Sequence, residues 1–119
     1  MHPHFRRSAC ALSALLVAAC GSDKTTAPSN EVVDVYTAGS VFSPSSATIA
    51  ASGTVRFNIS RDANGEGHDV TFTTPGAPAN IPVVNNPTVT VVSRVFPAPG
   101  TFAYVCMVHP GMAGEIVVH

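Results

Sequence analysis

Short runs of alternating apolar and polar residues, separated by turn-forming glycine and proline, dominate the chain after residue 30. In residues 54–60, the side chains of Val55, Phe57 and Ile59 fall on one side of an extended strand, and the residues between them fall on the other. We find no stretch that keeps a helical period over ten residues. The sequence therefore predicts an all-β domain.

The alternating runs predict a β-sandwich of about seven to eight short strands. Seven runs are clear, over residues 31–36, 47–50, 54–60, 69–73, 88–95, 101–106 and 115–118. Residues 74–87 are rich in Pro, Gly and Asn, and we expect them to be mostly loop. Many short strands in a chain of this size favour two packed sheets around a single core.

Residues 1–19 are predicted to be an export signal rather than part of the fold. Arg6 and Arg7 precede an apolar run that is too short to span a bilayer. Small residues stand immediately before Cys20, as in the lipobox of bacterial lipoprotein signal peptides, so we expect Cys20 to be the lipidated N-terminus. The alternative is plain export with cleavage after Ala19, which leaves Cys20 as a free thiol.

The chain after the signal divides into a short linker and one domain. Residues 20–30 are predicted to be the lipidated cysteine and a flexible linker, because the apolar side chains of residues 21–30 are limited to one alanine and one proline. Residues 31–119 suit one small domain with one core. From Cys20 onward four basic residues face seven acidic ones, so the formal charge is four minus seven, or −3. Without a basic cluster, nucleic acid is not an expected partner.

Four potential metal ligands stand in the second half of the chain. His68 begins the strand-like run that continues to Phe72, and Cys106, His109 and Met112 follow one another at intervals of three. A Pro-Gly pair between His109 and Met112 lets the chain reverse, so these donors converge. A thiolate, two imidazoles and a weak thioether are the ligand set of a type 1 copper site. We therefore predict His68, Cys106, His109 and Met112 as ligands of one copper ion.

Three of the four predicted ligands also have a simpler interpretation. Cys106 could be an ordinary buried thiol or form a disulfide with an unlipidated Cys20. His68 could be a surface histidine, and Met112 could fill the core. Zinc suits the thiolate and imidazoles equally well, and the thioether is the donor that favours copper. We expect Met107 to point away from the metal.

Several motifs follow one another in a characteristic order. They are Phe42-Ser43-Pro44, residues 53–57, residues 68–72, Pro99-Gly100-Thr101-Phe102, Tyr104, residues 106–112 and residues 114–118. This order resembles that of cupredoxins of the plastocyanin, amicyanin and pseudoazurin group, over essentially all of residues 31–119. The resemblance implies a Greek-key β-sandwich with a copper site whose short ligand loop is similar to amicyanin's. Asp69 departs from the family, which usually has an asparagine there that fastens one ligand loop to the other.

Three functional classes fit these features. The first is a one-electron carrier of the bacterial cell envelope, which docks transiently with redox donor and acceptor proteins at an apolar surface near His109. The second is a copper storage or handling protein, and the third is a metal-free β-sandwich binding module. We do not expect an enzyme, because four protein ligands leave no open position for substrate. A monomer is expected on the periplasmic or extracellular side, held at the membrane only by the lipid on Cys20.

Overall fold

A computed structural model of the protein describes residues 31–119, and strands are its regular elements throughout that range. The predicted signal peptide, the lipidated Cys20 and the linker lie outside the described residues. The strands are β1 (Val32–Ala38), β2 (Val41–Ser43), β3 (Ser46–Ile49), β4 (Gly53–Ile59), β5 (His68–Phe72), β6 (Ile81–Val84), β7 (Thr90–Phe96), β8 (Gly100–Val105) and β9 (Ala113–Val118). Over the same range, no helix has the length and apolar character needed to cross a membrane.

The strands form two sheets. One sheet has the order β2-β1-β4-β7, and the other has the order β3-β9-β8-β5-β6. The pairs β1–β4 and β3–β9 are parallel, and the remaining neighbours are antiparallel. Parallel neighbours cannot be joined by a tight hairpin, so the chain passes repeatedly from one sheet to the other. The predicted all-β sandwich is confirmed.

The space between the sheets is filled by apolar side chains, with Tyr104 at its centre. Val55, Phe57 and Ile59 of β4 are buried, as their alternation predicts. The Tyr104 ring meets the ring of Phe42 edge-on at 4.8 Å between centroids, and the ring of Phe57 at 5.5 Å. Such aromatic pairs each add roughly 0.5–1.5 kcal/mol beyond the area they bury. These contacts fix the C-terminal end of β8, which contains Tyr104.

Two of the nine strands in the described range lie outside the seven runs that the sequence predicted. β2 is a three-residue strand that pairs with β1, and β6 pairs with β5 at the edge of its sheet. The expectation of loop over residues 74–87 is wrong for β6, because Ile81 is buried in the core and pairs with Val70. Pro82 is tolerated there because an edge strand has backbone groups without a ladder partner.

Two loops meet at one end of the sandwich. The first joins β4 to β5 and contains Asp62, and the second joins β8 to β9 and contains Cys106 and His109. Asp62 contacts His109 across these loops, although the two residues are 47 positions apart in the chain. The residues predicted to bind a metal lie at this end.

Candidate metal centre

The loop between β8 and β9 is held closed by its own backbone. Cys106, the first residue after β8, donates its N–H to the carbonyl of Met112 at 2.9 Å, and the N–H of Met112 donates to the carbonyl of His109 at 3.0 Å. Gly111 has a φ of 85°, which a residue with a side chain rarely adopts, and this permits the reversal. The exposed fractions of Cys106, His109 and Met112 are 3%, 7% and 2%, so all three side chains point inward.

The thiol of Cys106 and the imidazole of His109 face each other. The distance from Cys106 Sγ to His109 Nδ1 is 3.7 Å. The opposite edge of the ring faces carboxylates, with His109 Nε2 at 3.2 Å from Asp62 Oδ2 and 3.3 Å from Glu66 Oε2. Because carboxylates only accept hydrogen bonds when ionised, the proton belongs on Nε2, and the lone pair of Nδ1 then points towards the sulfur.

His68 lies against His109 but is turned to the backbone. It is 1% exposed, and its ring stacks on the His109 ring at 4.6 Å between centroids with an interplanar angle of 24°. Its Nδ1 is 2.8 Å from the carbonyl oxygen of Ser60, and its Nε2 is 2.7 Å from the carbonyl oxygen of Gly39. A neutral imidazole carries one N–H, so it can bond only one of these carbonyls. For His68 to bind a metal, its ring has to turn so that one nitrogen leaves its backbone carbonyl and faces the metal.

Met112 is placed in the same loop as Cys106 and His109. Its side chain is buried and belongs to the hydrophobic core cluster, so its position suits both a ligand and a core residue. Met107 has a different environment, because it is 70% exposed. The loop therefore presents one methionine inward and the other to solvent.

Sequence reasoning missed Asp62 and Glu66 as neighbours of the predicted site. In the described part of the chain, Asp62, Glu66 and His109 are the group of His, Cys, Asp or Glu residues whose ligand atoms all lie within 4.8 Å of one another. Hydrogen bonds from the Glu66 backbone N–H and, to a smaller extent, from His109 hold the pKa of Asp62 below its usual value against the effect of burial. The available signal was two carboxylates in the loop before His68.

Asp69 links β5 to the ligand loop. Its Oδ1 accepts a hydrogen bond from the backbone N–H of Met107 at 2.7 Å, and its Oδ2 accepts one from Thr71 Oγ1 at 2.7 Å. The fastening of one loop to the other that the family resemblance assigns to an asparagine is thus made here by a carboxyl group.

Sequence comparison alone identifies no relative, whereas comparison of structures does. No protein-family model matches the chain, and no curated protein matches it. A reduced Cu(I) form of an amicyanin mutant at pH 4 matches with a TM-score of 0.61 and 26% identity, over 76% of this chain and 85% of that chain. A second reduced amicyanin mutant matches with a TM-score of 0.62 and 24% identity over the same shares.

A copper enzyme also contains this architecture. The Cu-containing nitrite reductase from Thermus scotoductus SA-01 matches with a TM-score of 0.60 and 26% identity, over 73% of this chain and 22% of that chain. The chain has a cupredoxin-like fold. It spans about a fifth of the nitrite reductase chain but most of the amicyanin chains.

The cupredoxin-like fold explains how distant residues come to share one end of the molecule. β5 and β8 are antiparallel neighbours, with Thr71 opposite Val105 and Phe72 opposite Tyr104. The start of β5 therefore lies beside the end of β8, and His68 meets the loop that holds Cys106 and His109. The identity of the metal ligands is not tested by the fold and stays a prediction.

Proposed function

We propose that this chain is a type 1 copper protein that carries single electrons between redox proteins of the bacterial cell envelope. One observation carries the proposal, namely the 3.7 Å approach of His109 Nδ1 to Cys106 Sγ in a buried loop. A thiol paired with an imidazole nitrogen whose lone pair is free is the start of a metal site. Its position at one end of a cupredoxin-like sandwich supports copper.

The donor set fits a copper ion. A thiol, two stacked imidazoles and a thioether from the same loop provide the soft sulfur and nitrogen donors that copper prefers. Cys106, His109, Met112 and a reoriented His68 would hold the ion, which supplies reversible one-electron chemistry when bound. The two carboxylates near His109 face the other edge of its ring, so they orient the imidazole rather than complete this set.

The protein itself fixes the positions of these donors and shields them from water. Cys106 is anchored by β8 and by the Met112 carbonyl, and His109 is fixed between the Cys106 sulfur and the carboxylate of Asp62. Burial of both side chains excludes water from the thiol. A site that changes little in shape suits electron transfer, because each oxidation cycle then requires little rearrangement. The proposal assigns no catalytic residue.

Docking is proposed at the surface around His109. Met107, Pro110 and Gly111 are exposed beside it, and the side chain of Glu66 is 57% exposed at its edge. We expect donor and acceptor proteins to make weak, transient contacts of small area there. A lipid on Cys20 is proposed to keep the protein at the membrane, with residues 21–30 as the tether.

The optical spectrum of the copper-loaded protein tests the function. The oxidised protein should show intense visible absorption from charge transfer between Cys106 and Cu(II), and reduction should bleach it. Cys106→Ser should abolish the absorption, whereas Met107→Leu, a change at the exposed neighbouring residue, should leave it intact. A protein that stays colourless with Cu(II), or binds zinc only, contradicts the proposal.

The same experiment separates this site from one built on carboxylates. Copper held by Asp62, Glu66 and His109 alone would have oxygen and nitrogen ligands and only a weak colour. That colour would survive Cys106→Ser and disappear with Asp62→Ala. Such a result would also count against a type 1 site.

A further inference from the structure

Asp69 is a buried carboxyl group at the predicted metal centre. Within residues 31–119, the polar or charged residues that are buried as a whole are His68, Asp69 and His109, and Asp69 is 5% exposed. It follows His68 directly in the chain and bonds the backbone of Met107, the residue after Cys106. Burying a carboxyl group in this way costs free energy of folding unless hydrogen bonds compensate for the lost water.

The hydrogen bonds to Asp69 favour its ionised form. Asp69 Oδ1 accepts a hydrogen bond from the Met107 N–H, and Oδ2 accepts one from the Thr71 hydroxyl, both at 2.7 Å. A carboxyl group that accepts on both oxygens and donates to neither partner is bonded as a carboxylate. This geometry is that of a negatively charged Asp69.

Within residues 31–119, no arginine or histidine forms an ion pair with this carboxylate. In the described part of the chain, the arginine ion pair is Arg56 with Asp34, and the other ion pairs join His109 to Asp62 and Glu66. Asp69 is bonded to dipoles and to neutral groups. A buried anion without a cation nearby favours any positive charge that enters its surroundings.

The charges of the occupied site show which oxidation state Asp69 favours. Cu(II) with one thiolate would have a net charge of +1, which the Asp69 carboxylate attracts. Cu(I) with the same thiolate would be neutral and would gain less from that carboxylate, while the Asp62 carboxylate beside His109 is present in both states. We infer that Asp69 is a positioning residue whose buried charge stabilises the oxidised centre and lowers its reduction potential. The inference rests on the proposed function.

The redox step itself is simple. One electron passes from a docked donor protein to the oxidised centre and later to an acceptor, and no bond to Asp69 forms or breaks. Asp69 acts through its field and through its hold on Met107. These two effects are separable, because an amide can keep the hydrogen bond and remove the charge.

Asp69→Asn is therefore the central variant. Its side-chain oxygen can still accept from Met107 N–H, and its amide can donate to Thr71 Oγ1. The affinity for Cu(I) relative to Cu(II) should rise on the order of tenfold, as expected for a unit charge beside a metal ligand. For one electron this is an upward shift of about 59 mV. Asp69→Ser, a second neutral variant, should also raise the potential if Asp69→Asn does not fold.

Asp34→Asn is the matched control. It removes the same charge from a half-buried carboxylate paired with the exposed Arg56 on the outer face of the other sheet. Its effect on the potential should be much smaller and should vanish at high salt, whereas the Asp69→Asn shift should persist because buried charges are poorly screened.

Potentiometric titration, followed by the blue absorption, measures the reduction potential of the wild type, Asp69→Asn, Asp69→Ser and Asp34→Asn. An unchanged reduction potential in both neutral Asp69 variants overturns the inference. If the wild-type protein is nevertheless blue, the proposed copper function still stands. Equal shifts in Asp69→Asn and Asp34→Asn also overturn it, since the effect would then be one of net charge. A wild-type protein that binds no copper removes the proposed function and this inference together.

Discussion

Asp62 fixes the outer edge of the His109 ring. Its Oδ2 lies 3.2 Å from His109 Nε2, while its Oδ1 accepts hydrogen bonds from the backbone N–H groups of Asn64 and Glu66, both at 2.9 Å. The side chain of Asp62 is 5% exposed. The carboxylate is thus held by its own loop and in turn places the proton of His109 on Nε2. This keeps Nδ1 available on the side of Cys106.

Asp62→Asn should weaken copper binding by disturbing His109. The amide can keep the loop bonds to Asn64 and Glu66 through its oxygen, but its NH₂ group then faces Nε2 and favours the tautomer protonated on Nδ1. Loss of such a supporting carboxylate costs roughly 10–100-fold in metal affinity. Competition with a chelator of known affinity measures the change.

Glu66→Gln is the control for Asp62→Asn. Glu66 faces the same nitrogen but is largely exposed, so water can replace it and the affinity should change less. Equal losses in both variants would mean that the total negative charge matters more than the orientation of the ring.

Met112→Gln should keep copper and colour while lowering the reduction potential. A thioether would be a weak ligand that tunes the potential more than it secures the metal, and an amide oxygen is a harder donor that favours Cu(II). Because Met112 is buried, the metal-free variant should also lose about 1–3 kcal/mol of stability for its buried amide. Met107→Gln should change neither property. An unchanged potential in Met112→Gln would show that Met112 is only a core residue.

Tyr104→Phe should leave the stability of the metal-free protein nearly unchanged. The hydroxyl of Tyr104 is buried without a hydrogen-bond partner in the described part of the chain, so its removal should cost no more than about 1 kcal/mol. Gly114→Ala should destabilise by roughly 1–3 kcal/mol, because an added Cβ would lie 2.5 Å from Tyr104 Cζ. Urea denaturation measures both, and a large loss in Tyr104→Phe would show that the hydroxyl is bonded.

Low pH should reduce the free energy of unfolding, in part through protonation of Asp34. Hydrogen bonds from Arg56 and then Asn58 hold the pKa of Asp34 below its usual 3.8. A carboxyl group whose pKa is lower in the folded state stabilises the fold above its unfolded pKa, and this contribution is lost as the pH falls through the folded pKa. Asp34→Asn should therefore be less stable than wild type at pH 7, and urea denaturation should show the gap narrowing as the pH falls below 3.8.

The full-length protein should be found with membranes when expressed in bacteria. Lipidation should add the mass of acyl chains to Cys20, and Cys20→Ser should move the protein to the soluble exported fraction. Copper binding should survive that change, because residues 21–30 separate the anchor from the domain. A wild-type protein that is free in the periplasm with an unmodified Cys20 would reject the anchor and leave the copper proposal intact.

Strand prediction succeeded where one face of a strand is buried. β4 alternates strictly, and its inward residues Val55, Phe57 and Ile59 are buried as expected. β6 was missed because its sequence, with Pro82, has the composition of a loop. It is a strand because Ile81 packs into the core and the segment pairs with β5. Edge strands of this kind depend on tertiary contacts more than on their own pattern.

The spacing of the predicted ligands in the sequence predicted only part of their arrangement in the structure. The intervals from Cys106 to His109 and on to Met112 define a tight turn, and the structure closes that turn with backbone hydrogen bonds. Spacing could not show that His68 faces the carbonyls of Ser60 and Gly39, because Gly39 is 29 residues away. It also gave no sign of Asp62 beside His109.

The sequence by itself determined the all-β class, the inward residues of its regular strands and a turn that gathers a thiol, an imidazole and a thioether. These features depend on local periodicity and on neighbours a few residues apart. Only the tertiary structure decided the pairing of the strands, the contact of Asp62 with His109 and the burial of Asp69 against the ligand loop. The last two contacts join residues 47 and 38 positions apart, and they form only when the two sheets pack and exclude water from their common end.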